Sequence, residues 1–428
     1  MTKYLCFVCF VCLSLYAFCC HAVTPHQYIP AMEEEIQTRE VLLRRYFHLS
    51  FSYMEIIVFL SKFHGIVLSL RQLKRLLKAM RLRRRTEGNS VPEVAQAIEM
   101  ELKGSASSLG YRAMHQRLQI EHGLVISRET VREILKIVDP EGVNRRSKHK
   151  LKRRQYKVKG PNYLWHIDGY DKLKPFGFCI HGAIHGAIDG HSRRILWLDV
   201  GPSNNDPGII AQYYLNYVRQ IHGAPRIVRA DCGTENVHVA AMQRFFRSFA
   251  DDSFVGDKSF MYGKSTSNQR IEAWWSQLRR CNADWWIKYF KDLRDAGIYC
   301  DADIIQEQCL KFCFMKIIQN ELYRVLKHWN THSIRRSVNL ESPSGRPDTS
   351  YFLPEVNDTR DYATMVDDHD IEVAEEMCCL QNPANGCEPE FNELATIIME
   401  ENGLNMPETY EEAQIVYMEH LHHIGNIQ

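Results

Sequence analysis

The stretch Tyr163-Leu164-Trp165-His166-Ile167-Asp168-Gly169-Tyr170 decides how this chain is read. Side chains alternate along a strand, so Leu164, His166 and Asp168 share one face and Trp165 and Ile167 the other. An acid set in so apolar a strand is costly unless it is paired or binds a cation. Working outward, Phe176–Ile188 and Arg194–Val200 read as two more strands, joined by the turn residues Asp189-Gly190-His191-Ser192. Asp206-Pro207 supplies an N-cap and N1 pair for a helix running to Ile221. Arg226–Ala230 is a fourth strand, Asn236–Phe249 a helix, Ser259–Tyr262 a short fifth strand, and Ser267–Arg280 a helix. The order βββαβαβα predicts an α/β domain on a five-stranded sheet.

Within the second strand, His181-Gly182-Ala183-Ile184 is repeated at once as His185-Gly186-Ala187-Ile188. An insertion of four leaves every later side chain on its original face, because the strand period is two. The sheet can therefore absorb it, with an adjusted register or hairpin.

Two further acids stand out by their settings. Asp231 follows the fourth strand in Arg229-Ala230-Asp231-Cys232-Gly233-Thr234-Glu235-Asn236, and Glu272 lies one turn into the last helix. Asp168, Asp231 and Glu272, if they converge at the sheet edge, offer oxygen ligands for Mg²⁺ or Mn²⁺. Two such ions can activate a water or 3′-hydroxyl and stabilise the leaving oxygen of an in-line phosphoryl displacement.

The three settings together resemble the DDE triad of the retroviral-type integrase core, a member of the RNase H-like fold. Trp165-His166-Ile167-Asp168 is similar to that family's first-strand motif. Asp231-Cys232-Gly233-Thr234-Glu235 resembles its Asp-Asn-Gly-Thr/Ser-Glu motif, and Ser267-Asn268-Gln269-Arg270-Ile271-Glu272 its Asn-x-x-x-Glu helix. A weaker echo lies at Trp329-Asn330-Thr331-His332 and Arg335-Arg336. The resemblance implies Asp168, Asp231 and Glu272 as catalytic metal ligands, DNA as substrate, two ions of Mg²⁺ or Mn²⁺, and self-association on paired DNA ends. Two departures stand beside it: Cys232 occupies the usual Asn position, and forty residues separate Asp231 from Glu272. A domesticated nucleic-acid-binding protein that keeps the sheet without turnover is the rival reading.

Ahead of this core lies a helical region, residues 31–140. Ile36–Phe47, Tyr53–Phe63 and a helix opening at Ser69 are expected, the last with the capping-box pattern Ser69-Leu70-Arg71-Gln72. Leu70, Leu73, Leu76 and Leu77 supply its apolar stripe, and Arg71, Lys74, Arg75 and Lys78 its other side. The outline returns 58 residues later: His122-Gly123-Leu124-Val125-Ile126-Ser127 echoes His64-Gly65-Ile66-Val67-Leu68-Ser69. An internal duplication of a helix-turn-helix unit is the expected cause. Arg71, Lys74, Arg128 and Arg132 are its candidate DNA contacts.

Charge supports a polyanionic partner. All 53 Lys and Arg precede Asp361, whereas 16 of the 52 acidic side chains follow from that position, leaving residues 1–360 at +17. The tail 351–428 is expected to be solvated or self-masking. Residues 141–160 form a basic linker with nine Lys/Arg between Arg145 and Lys159; Arg145, Arg146, Lys152, Arg153 and Arg154 are candidate phosphate contacts. In the core, 161–288, Asn268 is positioned to orient Glu272 or touch DNA backbone, and Lys264, Arg270 and Arg279 present charge. Trp274 and Trp275 serve packing rather than base stacking. Residues 289–350 form a helical extension, with Cys309 and Cys313 better suited to core packing than to metal.

Fourteen cysteines follow no disulfide framework. Residues 1–22 have the basic, apolar and small-residue parts of a signal peptide, or come from a mis-joined first exon. The apolar run is too short for a confident membrane span, so no stable membrane association is expected. A working signal peptide conflicts with the nuclear location that DNA chemistry requires, and a secreted protein is the third reading.

Overall fold

In the computed structural model the chain divides into two units, residues 1–36 and 37–428. The structure describes residues 38–84, 88–147, 157–170, 173, 184–202, 205–263, 268–336, 343–381 and 383–425, all in the second unit. Residues 1–22, the first His-Gly-Ala of the tetrapeptide repeat, Lys264, Lys152, Arg153 and Arg154 lie outside them, as does the side chain of Arg145.

The chain opens with helices α1 (Arg39–His48), α2 (Tyr53–His64) and α3 (Leu70–Ala79). Ser52 and Ser69 each close a full capping box, with Glu55 and Gln72 as reciprocal partners, so both helix starts are fixed by their own side chains. Gly65 ends α2 in the left-handed region at φ +64°, and the Ile66 amide donates to the Leu60 carbonyl. Helices α4 (Val91–Lys103), α5 (Tyr111–Glu121), α6 (Arg128–Val138) and α7 (Pro140–Ser147) follow. Gly123 sits at φ +65° and the Leu124 amide donates to the Leu118 carbonyl. The two α-turn-α units thus share one turn geometry at an offset of 58 residues.

The sheet then forms from β1 (Trp165–Tyr170), β2 (Ile184–Asp189) and β3 (Ile195–Val200) as an antiparallel meander. Helix α8 (Pro207–Ile221) starts at the expected Asp206 cap. A two-residue strand β4 (Gly223–Ala224) precedes β5 (Val228–Asp231), helix α9 (Val237–Phe246) and β6 (Phe260–Gly263). The strand order is β3-β2-β1-β5-β6, with β1, β5 and β6 parallel. This five-stranded mixed sheet flanked by helices is the RNase H-like architecture expected from the sequence. β4 was not anticipated; it pairs outside the main sheet with β7 (Thr364–Met365).

Helix α10 (Gln269–Leu278) crosses the sheet, and α11 (Asp284–Asp295) and the 28-residue α12 (Ile304–Thr331) extend it. On one side of the sheet, Trp165 meets Trp197, Tyr214 and Tyr217 edge-on at 6.1, 6.1 and 5.4 Å. At the open edge, α12 substitutes for a missing strand. Asn330 accepts from the Ile195 amide and donates to its carbonyl, both at 2.8 Å, and Gln319 does the same for Val200 and Leu198. Two side-chain amides thereby satisfy an edge that would otherwise stay reactive. Cys309 and Cys313 are buried in α12, as expected of packing thiols.

The acidic end of the chain is folded rather than solvated. Helices α13 (Pro347–Phe352), α14 (Asp368–Cys378), α15 (Pro389–Glu401) and α16 (Tyr410–Gly425) dock on the body, α14 against α8 and α16 against α12. Ile371, Ala395, Ile398, Ala413 and Tyr417 are buried there. The acids occupy the outer faces of amphipathic helices, and absence of Lys and Arg concealed that periodicity.

Candidate active site

Asp168 sits near the end of β1, and Asp231 is the last residue of β5. The parallel register pairs Trp165 with Val228 and His166 with Arg229. Carried two residues further, the same offset sets Asp168 level with Asp231. Glu272 lies in the first turn of α10, which contacts β1.

What fixes α10 against β1 is Asn268, its N-terminal boundary residue. Asn268 is buried; its amide nitrogen donates to the Ile167 carbonyl at 2.8 Å and its oxygen faces His166 Nδ1 at 2.6 Å. With the amide nitrogen spent on a carbonyl, the oxygen must accept, so His166 donates from Nδ1. Burial pulls His166 down to about 3, and it is neutral at physiological pH. Of the two roles open to Asn268, this packing serves orientation of the helix that carries Glu272. Arg270 also turns inward, donating from Nε to the Gly190 carbonyl at 3.2 Å and tying α10 to the β2–β3 turn.

The rim is held from the other side by Trp275, whose indole N–H donates to Asp168 Oδ2 at 2.9 Å. Asp168 pairs across β1 and β2 with Gly186, where a Cβ would come within 2.9 Å of the Trp275 ring. Glycine from the second copy of the tetrapeptide is thus what lets the indole lie against the strand. Trp274 and Trp275 are both buried, which agrees with packing and leaves neither ring free for base stacking.

Burial pushes the Asp168 carboxyl up to about 7. The Trp275 hydrogen bond opposes this, while Glu272 and then Asp231 add to it by charge. Asp231 Oδ1 accepts from Asn236 Nδ2 at 3.3 Å and from the Gly233 amide at 3.4 Å. Cys232, in place of the family's Asn, is exposed and directs its thiol to the Gly263 carbonyl at 3.7 Å, so the substitution takes nothing from Asp231. Among the described residues no three His, Cys, Asp or Glu side chains close into a metal-sized cage. The donor set is nonetheless of the right kind for a hard dication: carboxylate oxygens, one of them on a group that burial first, and its acidic neighbours second, push up to about 7.

The same stretch of chain is picked out by comparison with known families, since residues 155–344 match the family model of the integrase core domain. This segment is an integrase core domain. Its fold is RNase H-like, and helices α1 to α7 and α13 to α16 lie outside the match. No curated protein matches the chain. No described helix is long and apolar enough to cross a membrane.

The remaining candidates divide by environment. Arg71 and Lys74 are exposed on α3. Arg132 is exposed on α6 but flanked by Glu129 and by Glu133 at 3.1 Å, and Arg128 is exposed at that helix's start. Arg146 belongs to α7 and pairs with Asp139 at 3.0 Å, so it is not part of an unstructured linker. Arg279 is exposed, 3.6 Å from Asp284. Two structural residues escaped the sequence reading, Trp275 as a donor to Asp168 and His166 as the partner of Asn268. The second had a signal: a His two before the strand acid lies on its face.

Proposed function

We propose that the integrase core is a DDE-type polynucleotidyl transferase acting on DNA, with Asp168, Asp231 and Glu272 as its catalytic carboxylates. The supporting observation is the electrostatics of the rim: a buried strand acid driven to about 7 with two further carboxylates adding their charge. Such a site gains most from a cation, because each added positive charge relieves both burial and mutual repulsion. These three residues would hold Mg²⁺ or Mn²⁺, which supplies activation of a water or 3′-hydroxyl and stabilisation of the leaving oxygen. The chain's own contribution is to preorganise the rim. Asn268 and His166 set the height of α10 on β1, Trp275 fixes the Asp168 carboxylate, and Asn236 steadies Asp231.

The family resemblance implies a multimer on paired DNA ends, and DNA chemistry implies the nucleus, a location with which the signal-like residues 1–22 conflict. The rival, a DNA-binding protein without turnover, is favoured by one observation, that the described carboxylates do not close into a cage by themselves. Purified protein with a branched or nicked-end DNA substrate in Mn²⁺ separates the two. Metal-dependent nicking or strand transfer, lost in Asp168→Asn and Glu272→Gln, supports the transferase; tight, salt-sensitive binding with no cleavage supports the silent protein.

A further inference from the structure

The two helix-turn-helix units have identical turn geometry, and their second helices align position by position at an offset of 58 residues. Their apolar positions agree: Leu73 and Leu77 are buried in α3, and Val131 and Leu135 in α6. Their charges do not. Arg71, Arg75, Arg81 and Arg83 in the first copy are matched by Glu129, Glu133, Asp139 and Glu141 in the second. Residues 70–84 carry seven cations and no acid, whereas residues 128–142 carry three cations and four acids. Two of these reversals, Arg71 against Glu129 and Arg75 against Glu133, fall on the aligned helices with the core kept, and the other two follow them in the chain; reversals of sign over a retained core mark a change of partner.

The surroundings differ in the same sense. Among the described residues, Arg71, Arg75, Lys78, Arg81 and Arg83 have no ion-pair partner and all are exposed. Lys74, Lys78, Arg83 and Arg84 ring an open cleft floored by Leu77 and Leu82. Arg84 is preset there: its guanidinium stacks 4.5 Å from the Phe47 ring centroid and bonds the Phe51 carbonyl. On α6, Arg132 is spent on Glu129 and Glu133, and Lys136 pairs with Glu133 at 2.9 Å.

Docking follows the same division. The first unit leans on the body through α2, where Glu55 takes Arg346 at 2.6 Å and Lys62 takes Glu355 at 2.9 Å, leaving α3 facing solvent. The second unit is built into the integrase core. Gln116 donates to Thr331 at 2.9 Å, Glu121 meets His328 at 3.2 Å and Lys327 at 3.6 Å, and Trp285 donates to the Lys103 carbonyl at 3.0 Å.

We infer that the first copy, through α3 and the segment to Arg84, is the arm that grips the DNA phosphate backbone, and that the second has become a structural bracket on the core. This rests on the DNA reading above and assigns it to one of two homologous surfaces. Free cations without competing acids give the counterion release that drives such binding; self-paired cations give little.

The test uses the full-length protein, a fluorescent DNA duplex and anisotropy over a series of salt concentrations. Arg71→Gln/Lys74→Gln/Arg75→Gln/Lys78→Gln should weaken binding at least about tenfold and reduce the salt slope by about three to four. Arg128→Gln/Arg132→Gln/Lys136→Gln should change affinity less than about twofold. Glutamine keeps helix propensity, and circular dichroism melts verify that both variants are folded. Equal losses, or a loss only in the second set, overturn the assignment while leaving DNA binding intact. Wild-type protein that ignores DNA at low salt overturns the DNA reading itself and the assignment with it. Preference for an RNA duplex over DNA also overturns the proposal.

Discussion

The two helical units ahead of the core share one pattern of turn and buried stripe and differ in surface charge. Both turn at a glycine near φ +65°, and both bury a Leu or Val stripe under the second helix. One carries seven cations and no acid over residues 70–84 while the other carries more acid than base over the matching stretch. Turn and core residues are fixed by backbone strain and packing, which tolerate little change. Surface charge is free to drift until a partner constrains it, so the diverged face is the informative one.

The comparison can be broken at its anchors. The strongest is a buried pair beneath the first unit: Arg194 Nε lies 3.0 Å from Asp348, both fully buried, in the segment that also presents Arg346 to Glu55. Asp348→Ala strands a buried guanidinium and should cost about 3–5 kcal/mol in urea unfolding. Arg132→Ala in the second unit, exposed and self-paired, should cost under about 1 kcal/mol. Next in size, Leu77→Ala and Leu135→Ala remove equivalent buried side chains, and each should cost about 2–5 kcal/mol. A large inequality between them would mean that the two units are not packed alike.

Acid separates the dockings more gently. Burial raises the Glu121 carboxyl, but His328, Lys327 and Arg324 more than offset it and bring it to about 2. A lowered acid stabilises the fold above its unfolded value of about 4.5 and loses that contribution as pH falls toward 2. The thermal midpoint should therefore fall over pH 4.5–2, and Glu121→Gln should flatten that slope. Smallest of all, Gly65→Ala and Gly123→Ala place a Cβ in open space but at positive φ, and each should cost about 1 kcal/mol.

Much of this architecture was legible in the residues. The Asp206-Pro207 cap, the Ser69 capping box and the alternation of Trp165 against Asp168 are local signals, and each stands where local rules put it. Residues whose role is set by distant neighbours were not legible. Asn330 and Gln319 act only because α12 runs beside an unpaired strand edge, and Trp275 reaches Asp168 only across Gly186. Asn268 bonds His166 and the Ile167 carbonyl only because α10 is laid against β1. Of the two expectations for the acidic end, solvated or self-masking, the solvated one fails because its helices bury an apolar face against the body.

Mn²⁺ binding by the full chain, followed by the loss of its free electron paramagnetic resonance signal, tests the rim most directly. The account predicts saturable binding that is lost in Asp231→Asn and Glu272→Gln while both variants stay folded. Equal binding by wild type and variants, or none by wild type at millimolar Mn²⁺, would contradict it.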